Sequence, residues 1–359
     1  MEETKSNGGA RRGAVRKRKK ATEKSGRRAL ILVTVLITLA IFAGAGMIFC
    51  MSSHSGESRW VYIPSESTDG AVRDSLRSAL GAKEGNRVYT LWQLIDGKAT
   101  RARGAYRIDE GASVLSTARR LRNGAQTPVK VSFRGGRDIA QAARRITSQL
   151  ECPADSFLAA CRRVLGGEGL TPPQYPAAFL PDTYEFYWTE SPDRIVERLW
   201  SYRNRFWTDE RRSKAASLGL TPEDVATLAS IVEEESAKRD ERPTIARLYM
   251  NRLKRGMKLQ ADPTVKFASG NPRLKRILAK HLQKESPYNT YLHEGLPPGP
   301  IRIPEAQTLD AVLNAPANNY IYMCAREDFS GYHNFATDYA THQANATRYR
   351  RELDRRGIK

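Results

Sequence analysis

Hydrophobic and polar residues follow two different patterns along this chain. A stretch without any charged residue extends from Ala29 to Ser53. Beyond it, short apolar runs alternate with segments in which apolar residues recur every three or four positions, the patterns of strands and of amphipathic helices. The pattern predicts an α+β fold that follows one long apolar helix, and the sequence contains no internal repeat.

Individual elements can be assigned from the same pattern. In the first half we predict strands at 61–63, 87–91, 104–108 and 129–133, and helices at 71–80, 113–121 and 138–150. Residues 104–133 thus form a strand-helix-strand unit, in which Gly124 is placed to end the helix. In the second half we predict helices at 221–238, 245–255, 309–313 and 341–353, and a strand that contains Cys324.

The apolar stretch is long enough to cross a membrane, because about 20 apolar residues span the hydrocarbon core of a bilayer. Residues 1–28 carry eleven Lys and Arg against three Glu, and no comparable basic cluster follows the apolar stretch. By the positive-inside rule, residues 1–28 are a cytoplasmic tail, 29–51 a single transmembrane helix and the remainder extracytoplasmic. A cleaved signal peptide would have a shorter apolar region, of about 7–15 residues.

The net charge of +20 suggests nucleic acid, but its distribution argues against such a partner. The first 28 residues account for +8, and the remaining +12 is spread over more than 300 residues. This distribution is typical of a domain that works beside anionic lipid or an anionic polymer. Four cysteines form no disulfide framework, although Cys152 and Cys161 could pair if the chain folds back between them. No His/Cys cluster has metal-ligand spacing, so we expect no metal and no cofactor.

The helix that begins near Thr221 ends in three consecutive glutamates, and helical phase separates them. With Val225 at zero, the apolar residues of this helix lie between roughly 240° and 340°, and Glu235 falls among them at roughly 280°. Glu233 lies on the flank at roughly 80°, and Glu234 faces away at roughly 180°.

A carboxyl group on an apolar face has a raised pKa, which suits a general acid. The alternative for Glu235 is an internal salt bridge, for which Lys238, Arg239 and Arg242 are the candidate partners. Helical phase leaves both interpretations open.

Four segments resemble the endolytic murein transglycosylase (YceG-like) family: ASIVEEES (229–236), YMNRLKRGMKLQADPTVKF (249–267), YNTYLHEGLPPGPI (288–301) and GYHNF (331–335). The resemblance covers roughly residues 104–350. It implies that one helix glutamate is the sole catalytic acid/base. We place this role on Glu235, because the Glu235-Ser236 pair also resembles lysozyme-like lytic transglycosylases, and keep Glu233 as the alternative.

The resemblance also implies a domain organisation. Residues 104–150 are similar to a LysM-like glycan-binding subdomain, and 151–359 to the YceG-like catalytic domain. Residues 52–103, a linker and a small α/β piece, match no pattern of the family.

Loop residues supply candidate substrate contacts. Gln260 and Asp262, which stand in a turn before Pro263, can bond sugar hydroxyls or amides. The other candidates combine aromatic rings, which stack on pyranoses, with amide and imidazole groups: Tyr288, Asn289, Tyr291, His333 and Asn334.

The predicted function is that of a lytic transglycosylase of the bacterial inner membrane. It would cleave the MurNAc–GlcNAc bond within nascent peptidoglycan strands, leave 1,6-anhydroMurNAc ends and so end glycan elongation beside the peptidoglycan synthases. One alternative is a hydrolytic muramidase that uses Glu235 and Asp262 as its two carboxylates. Another is a non-catalytic, membrane-anchored glycan-binding scaffold.

Overall fold

A computed structural model describes residues 9–271, 274 and 277–358, with side chains from residue 27 onward. The fold is α+β and mostly helical, as predicted. The chain divides into two compact units, Met1–Thr127 and Pro128–Lys359. Of the predicted basic tail, residues 1–8 lie outside the described residues, and the rest belongs to the first helix.

The first helix, α1, extends from Gly9 to Met51. Its segment Arg27–Met51 is long and apolar enough to cross a membrane and is not buried against the rest of the protein. At 1.5 Å per residue these 25 residues measure about 37 Å, which exceeds the hydrocarbon thickness of about 30 Å. The chain therefore has one apolar N-terminal helix, consistent with a signal anchor or a signal sequence.

The rest of the N-terminal unit combines two strands and four helices. Its elements are β1 (Arg59–Ile63), α2 (Asp69–Leu80), α3 (Ala82–Leu94), α4 (Ala99–Ala102), β2 (Gly104–Ile108) and α5 (Val114–Arg122). β1 pairs antiparallel with β2, and Val61 lies opposite Tyr106. Both residues are fully buried in a core that also contains Trp92. As predicted, Gly124 follows the end of α5, with a positive φ of 65°.

The strand predicted at 87–91 is wrong, because these residues belong to α3. Val88, Leu91 and Trp92 are buried at helical spacing. The backbone of α2 passes directly over Gly85, where a Cβ would come within 2.7 Å of Arg77 and Leu76 backbone atoms. Close packing of the two helices thus overrides the strand propensity of the Val-Tyr-Thr run.

The segment that follows α1 is ordered against this unit. The backbone of Ser52 accepts a hydrogen bond from the Val114 amide, and the amide of His54 donates to Ala112, both at 2.9 Å. The buried His54 ring also contacts the Glu84 carboxylate at 2.9 Å. The polar linker expected after the apolar stretch therefore begins with residues that are hydrogen-bonded in place.

The C-terminal unit opens with a sheet that pairs distant segments. It contains β3 (Val129–Phe133), α6 (Ile139–Thr147), α7 (Ala154–Gly167), a 3-10 helix (Pro172–Ala178), β4 (Asp182–Phe186) and α8 (Pro192–Phe206). β3 pairs antiparallel with β4, whereas β2 pairs with β1. The predicted strand-helix-strand unit is thus divided between the two units, and the boundaries expected at residues 104 and 151 do not coincide with the division after Thr127.

The remaining elements build the second half of this unit. They are α9 (Asp209–Ser217), α10 (Pro222–Glu235), α11 (Arg242–Lys254), α12 (Asp262–Ala268), α13 (Ala279–Leu282), α14 (Ala306–Leu313), β5 (Tyr322–Ala325), β6 (His333–Ala336) and α15 (Tyr339–Arg355). The four helices and the Cys324 strand predicted here are all present. Asp262, expected in a turn, instead occupies the first turn of α12.

The central helix of this half is α10, which begins at a capping box between Thr221 and Asp224. The predicted apolar stripe is confirmed, since Val225, Leu228 and Ile231 are fully buried. The opposite side, which carries Ala226 and Ser230, is buried as well. The middle of α10 is therefore enclosed by the fold, and Glu234 and Glu235 at its C-terminal end each line a pocket.

Candidate active site

The three glutamates at the end of α10 have three different environments. Glu233 is buried. One of its oxygens, Oε2, accepts hydrogen bonds from the Glu305 amide at 2.9 Å and from Thr308 Oγ1 at 2.7 Å. Its Oε1 lies 3.0 Å from a guanidinium nitrogen of Arg302. Glu233 is thus a satisfied internal carboxylate that fixes the start of α14 against α10.

Glu234 points outward, as its phase predicts. Its side chain is 37% exposed and forms an ion pair with Arg302 at 2.8 Å. Of the cations considered as partners for Glu235, Arg239 and Arg242 instead contact Glu305. No ion pair to Glu235 occurs in the described part of the chain.

Glu235 is the last residue of α10 and lies half-buried in the wall of a pocket of about 370 Å³. The Tyr249 hydroxyl on α11 donates a 2.6 Å hydrogen bond to Glu235 Oε1. Burial raises the pKa of Glu235 to about 7, although the Tyr249 hydrogen bond lowers it. Near neutral pH this carboxyl group can both hold and accept a proton, as a general acid/base must.

Four of the predicted substrate contacts line this active-site pocket together with Glu235: Gln260, Asp262, Tyr291 and His333. The exposed Asp262 carboxylate accepts a 2.7 Å hydrogen bond from the Tyr291 hydroxyl. This contact and burial raise the pKa of Tyr291, which therefore stays a hydroxyl donor at neutral pH. The charge of Asp262 also contributes to the raised pKa of Glu235.

Gln260 is held in an unusual backbone conformation. Its φ of 51° is in the left-handed region, which a residue with a side chain seldom adopts. The Arg252 guanidinium donates a 2.5 Å hydrogen bond to Gln260 Oε1 and further bonds to the Lys258 and Ile321 carbonyls. These contacts orient the Gln260 amide at the pocket wall.

His333 is oriented by a buried carboxylate. Glu241 accepts hydrogen bonds from the His333 backbone amide at 2.7 Å and contacts Nδ1 of its ring at 2.8 Å. Ser236, directly after Glu235, donates to the same carboxylate at 3.2 Å. Glu241 thus connects the end of α10 to β6 and fixes the imidazole at the pocket.

Three predicted contacts are not among the pocket-lining residues. Asn289 is fully buried and its amide group donates to the Leu282 and Lys284 carbonyls. The Tyr288 ring packs against Phe267, with centroids 4.7 Å apart. The Asn334 amide donates to Glu327 at 2.7 Å. In this structure all three side chains have structural contacts.

Sequence reasoning missed an aromatic wall of the pocket. The Tyr322 ring stacks on the His342 ring at 5.2 Å and lies 5.9 Å from that of Tyr339. Tyr339 is 58% exposed, so a sugar ring can reach this surface. The only sequence signal was the density of aromatics in NNYIYM and of aromatics and histidines near the start of α15, which a core strand and a helix start also explain.

Residues 27–271, 274 and 277–358 contain no group of three or more His, Cys, Asp or Glu that could hold a metal ion. Cys152 and Cys161 are both buried and free. Burial raises the pKa of each thiol, to about 11 for Cys152 and about 12 for Cys161.

Comparison with known proteins decides the family. Residues 61–348 match the model of the YceG-like family. The chain belongs to the YceG-like family. Among its YceG-like relatives, an endolytic murein transglycosylase of Bacillus subtilis is 34% identical over 151 residues, 41% of each chain. One of Streptococcus pneumoniae is 35% identical over 117 residues, 32% of this chain and 21% of the relative.

The matched stretches therefore span about two fifths and one fifth of these relatives. A crystal structure of a yceG-like protein of Listeria monocytogenes covers 80% of this chain and 98% of that one, with a TM-score of 0.50 and 22% identity. This likeness shows that the two YceG-like chains share a fold.

Proposed function

We propose that this protein is a membrane-attached endolytic lytic transglycosylase that cleaves peptidoglycan glycan strands with Glu235 as its acid/base. The observation that carries the proposal is the environment of Glu235, whose carboxyl group has a pKa of about 7 in a polar pocket and a tyrosine hydroxyl on one oxygen. The names of the relatives, endolytic murein transglycosylases, supply the substrate class.

The first half of the reaction breaks the bond between C1 of MurNAc and O4 of the following GlcNAc. The protonated Glu235 carboxyl group donates its proton to the leaving O4 as the bond breaks. Tyr249 occupies Oε1, so Oε2 is the oxygen available for this proton transfer. Such general acid catalysis contributes about 10²–10⁴-fold to a rate.

In the second half, the 6-hydroxyl of the same MurNAc attacks C1. The Glu235 carboxylate takes the proton of that hydroxyl, which restores the acid and leaves a 1,6-anhydro end. No water is consumed, and intramolecular attack avoids the entropy cost of ordering a second reactant. One carboxyl group therefore suffices for both proton transfers.

The other pocket residues bind and orient the sugar in this proposal. Gln260 and Asp262 offer hydrogen bonds to hydroxyl and N-acetyl groups, and Tyr322 with His342 offers a stacking surface. Glu233 is assigned a structural role, because its carboxylate is buried and already bonded. Asp262 in the same pocket favours a hydrolytic muramidase as the second candidate, since hydrolysis requires a second carboxylate.

The test uses the full chain in detergent and purified peptidoglycan, with products identified by mass spectrometry. Wild type should release anhydro-ended fragments and Glu235→Gln should lose this activity, whereas Glu197→Gln, at an exposed position outside the active-site pocket, should keep it. Fragments that carry one additional water would instead identify a hydrolase. Folded wild-type protein that binds strands but leaves them intact would identify a glycan-binding scaffold.

The anchor is tested separately, because α1 is consistent with a signal anchor or a signal sequence. We propose that the helix is retained, with residues 1–28 in the cytoplasm and the chain after α1 outside the inner membrane. In this position the enzyme would meet strands as synthases extend them, and cleavage there would end elongation. Intact mass of the membrane-extracted protein and protease accessibility in spheroplasts would reveal whether the N-terminus is retained and on which side it lies.

A further inference from the structure

A second pocket of the C-terminal unit, of about 280 Å³, has five cations among its eleven lining residues. We call it the basic pocket; its charged residues are Arg134, Arg137, Arg145, Glu234, Lys266 and Arg302. Five cations thus face one carboxylate. Like charges are brought together only at an energetic cost, so a pocket with this excess is suited to an anion.

Two of these cations, Arg137 and Arg145, are hydrogen-bonded to neutral backbone groups. Arg137 donates a 3.0 Å hydrogen bond to the Lys266 carbonyl, and its guanidinium lies over the Phe267 ring. Arg145 donates to the Gly135 carbonyl at 2.5 Å. Neither contact neutralises a charge, and Arg134, Arg137, Arg145 and Lys266 form no ion pair within the described residues. Their positive charge therefore remains available to a ligand.

Arg302 is the one cation of the basic pocket with carboxylate partners, since it contacts Glu233 and Glu234. The excess positive charge of the basic pocket therefore comes from the other four cations, Arg134, Arg137, Arg145 and Lys266.

The basic pocket adjoins the active-site pocket at two places in the chain. On α10, Glu234 lines the basic pocket and Glu235 the active-site pocket. On α12, Pro263 lines the basic pocket and Asp262 the active-site pocket. The two pockets therefore share two backbone segments, the end of α10 and the start of α12.

On the basis of the proposed function, we propose that the basic pocket binds the carboxylates of the peptide stem carried by the MurNAc residue next to the cleaved bond. The stem branches from the ring whose C1 bond is broken, so it is the anionic group closest to Glu235. A lipid-linked pyrophosphate has similar charge, but it lies at the end of a strand and an endolytic cut is made away from that end. Arginine guanidinium groups pair well with carboxylates in a bidentate geometry.

A binding experiment tests the pocket independently of catalysis. The full chain in detergent would be titrated by calorimetry with a synthetic stem pentapeptide and with the same peptide carrying amides in place of its carboxylates. The double variant Arg134→Gln/Lys266→Gln should weaken pentapeptide binding about tenfold, or by about 1.4 kcal/mol, because the pocket loses two of its positive charges. The charge-matched control Arg162→Gln/Arg351→Gln, at exposed positions outside both pockets, should bind as wild type does.

Equal binding of the amidated peptide, or no effect of the double variant, would overturn the proposal. So would tight binding of inorganic pyrophosphate without binding of the pentapeptide, which would indicate a lipid-linked anion instead.

A kinetic experiment relates the pocket to the reaction. Wild type and the double variant would be given peptide-bearing strands and strands from which an amidase has removed the stems. The double variant should lose about tenfold in kcat/KM on peptide-bearing strands and stay within about twofold on stripped strands. Equal losses on both substrates would refute a stem-binding role. If wild type cleaved neither substrate, the proposed function would fail, while the titration would still decide whether the pocket binds stems.

Discussion

Tyr249 on α11 and Glu235 on α10 are joined by a 2.6 Å hydrogen bond, in which the phenol donates to the carboxylate. Two opposing effects thus act on one carboxyl group. Burial favours the protonated acid and raises the pKa, whereas the hydrogen bond favours the carboxylate and lowers it. The result, a pKa of about 7, lies where one group can serve as acid and then as base.

Removal of the Tyr249 hydroxyl should raise the pKa of Glu235, because burial would then act without the opposing hydrogen bond. In Tyr249→Phe the pKa of Glu235 should rise further, so the alkaline limb of the pH–rate profile should move to higher pH, with a rate loss of about three- to tenfold at neutral pH. Tyr291→Phe is the control, because that hydroxyl bonds Asp262 and not Glu235. An alkaline limb that moves equally in both variants would show that Tyr249 has no specific effect.

The raised pKa of Glu235 also predicts a stability effect. The folded protein binds this proton more tightly than the unfolded chain, so the contribution of Glu235 to stability falls as pH rises from about 4.5 to about 7. Glu235→Gln removes the cost of a half-buried charge and should stabilise the protein at pH 8 by about 1–2 kcal/mol, with little gain at pH 4. Urea unfolding at both pH values measures the difference, and a gain that is equal at both would contradict the prediction.

Substitutions of Glu233 and of Glu234 should lower the free energy of unfolding by different amounts. Glu233→Ala leaves Arg302 and Thr308 without their partner in a buried site and should cost about 3–5 kcal/mol. Glu234→Ala removes a part-exposed contact and should cost no more than about 1 kcal/mol. Thermal unfolding of the two variants compares them directly, and similar melting temperatures would exclude a structural role for Glu233.

The close contact between α2 and α3 at Gly85 predicts that a larger residue at this position destabilises the protein. Gly85→Ala places a methyl group within 2.7 Å of the Arg77 backbone, so the helices must separate at a cost of about 1–3 kcal/mol. Gly70→Ala, in the first turn of α2, meets only the Thr68 hydroxyl at 3.8 Å and should be neutral or slightly stabilising. The denaturant concentration at the midpoint of unfolding measures the stability of each variant. Equal midpoints for the two variants would contradict the close contact between α2 and α3 at Gly85.

Local periodicity of the sequence predicts which side of a helix a residue occupies, but it does not predict contacts between distant segments. The position of Glu235 on α10 follows from helical phase, because the register of a helix depends on nearby residues alone. Tyr249, Glu241 and Tyr322 were missed, since their approach to Glu235 depends on how distant segments pack. Asn289 was predicted as a substrate contact, but the loop turns its amide inward toward backbone carbonyls.

For the fold, too, the sequence predicted local elements but not how they pair. Strands β1, β2 and β3 were visible as apolar runs, yet their pairing was not, and β4 was not predicted. Residues 129–133 pair with 182–186, about fifty positions away, because both present buried faces to one core. Strand pairing is a tertiary property, and an apolar run contains no information about its partner.

The end of α1 has a consequence for the N-terminal unit. Met51 ends the helix, and Ser52 and His54 are already hydrogen-bonded to that unit. If α1 is inserted in the bilayer as proposed, no flexible linker separates the membrane helix from the folded part of the N-terminal unit. The distance of that part from the lipid is then set by hydrogen bonds of the fold and not by the length of a loose chain.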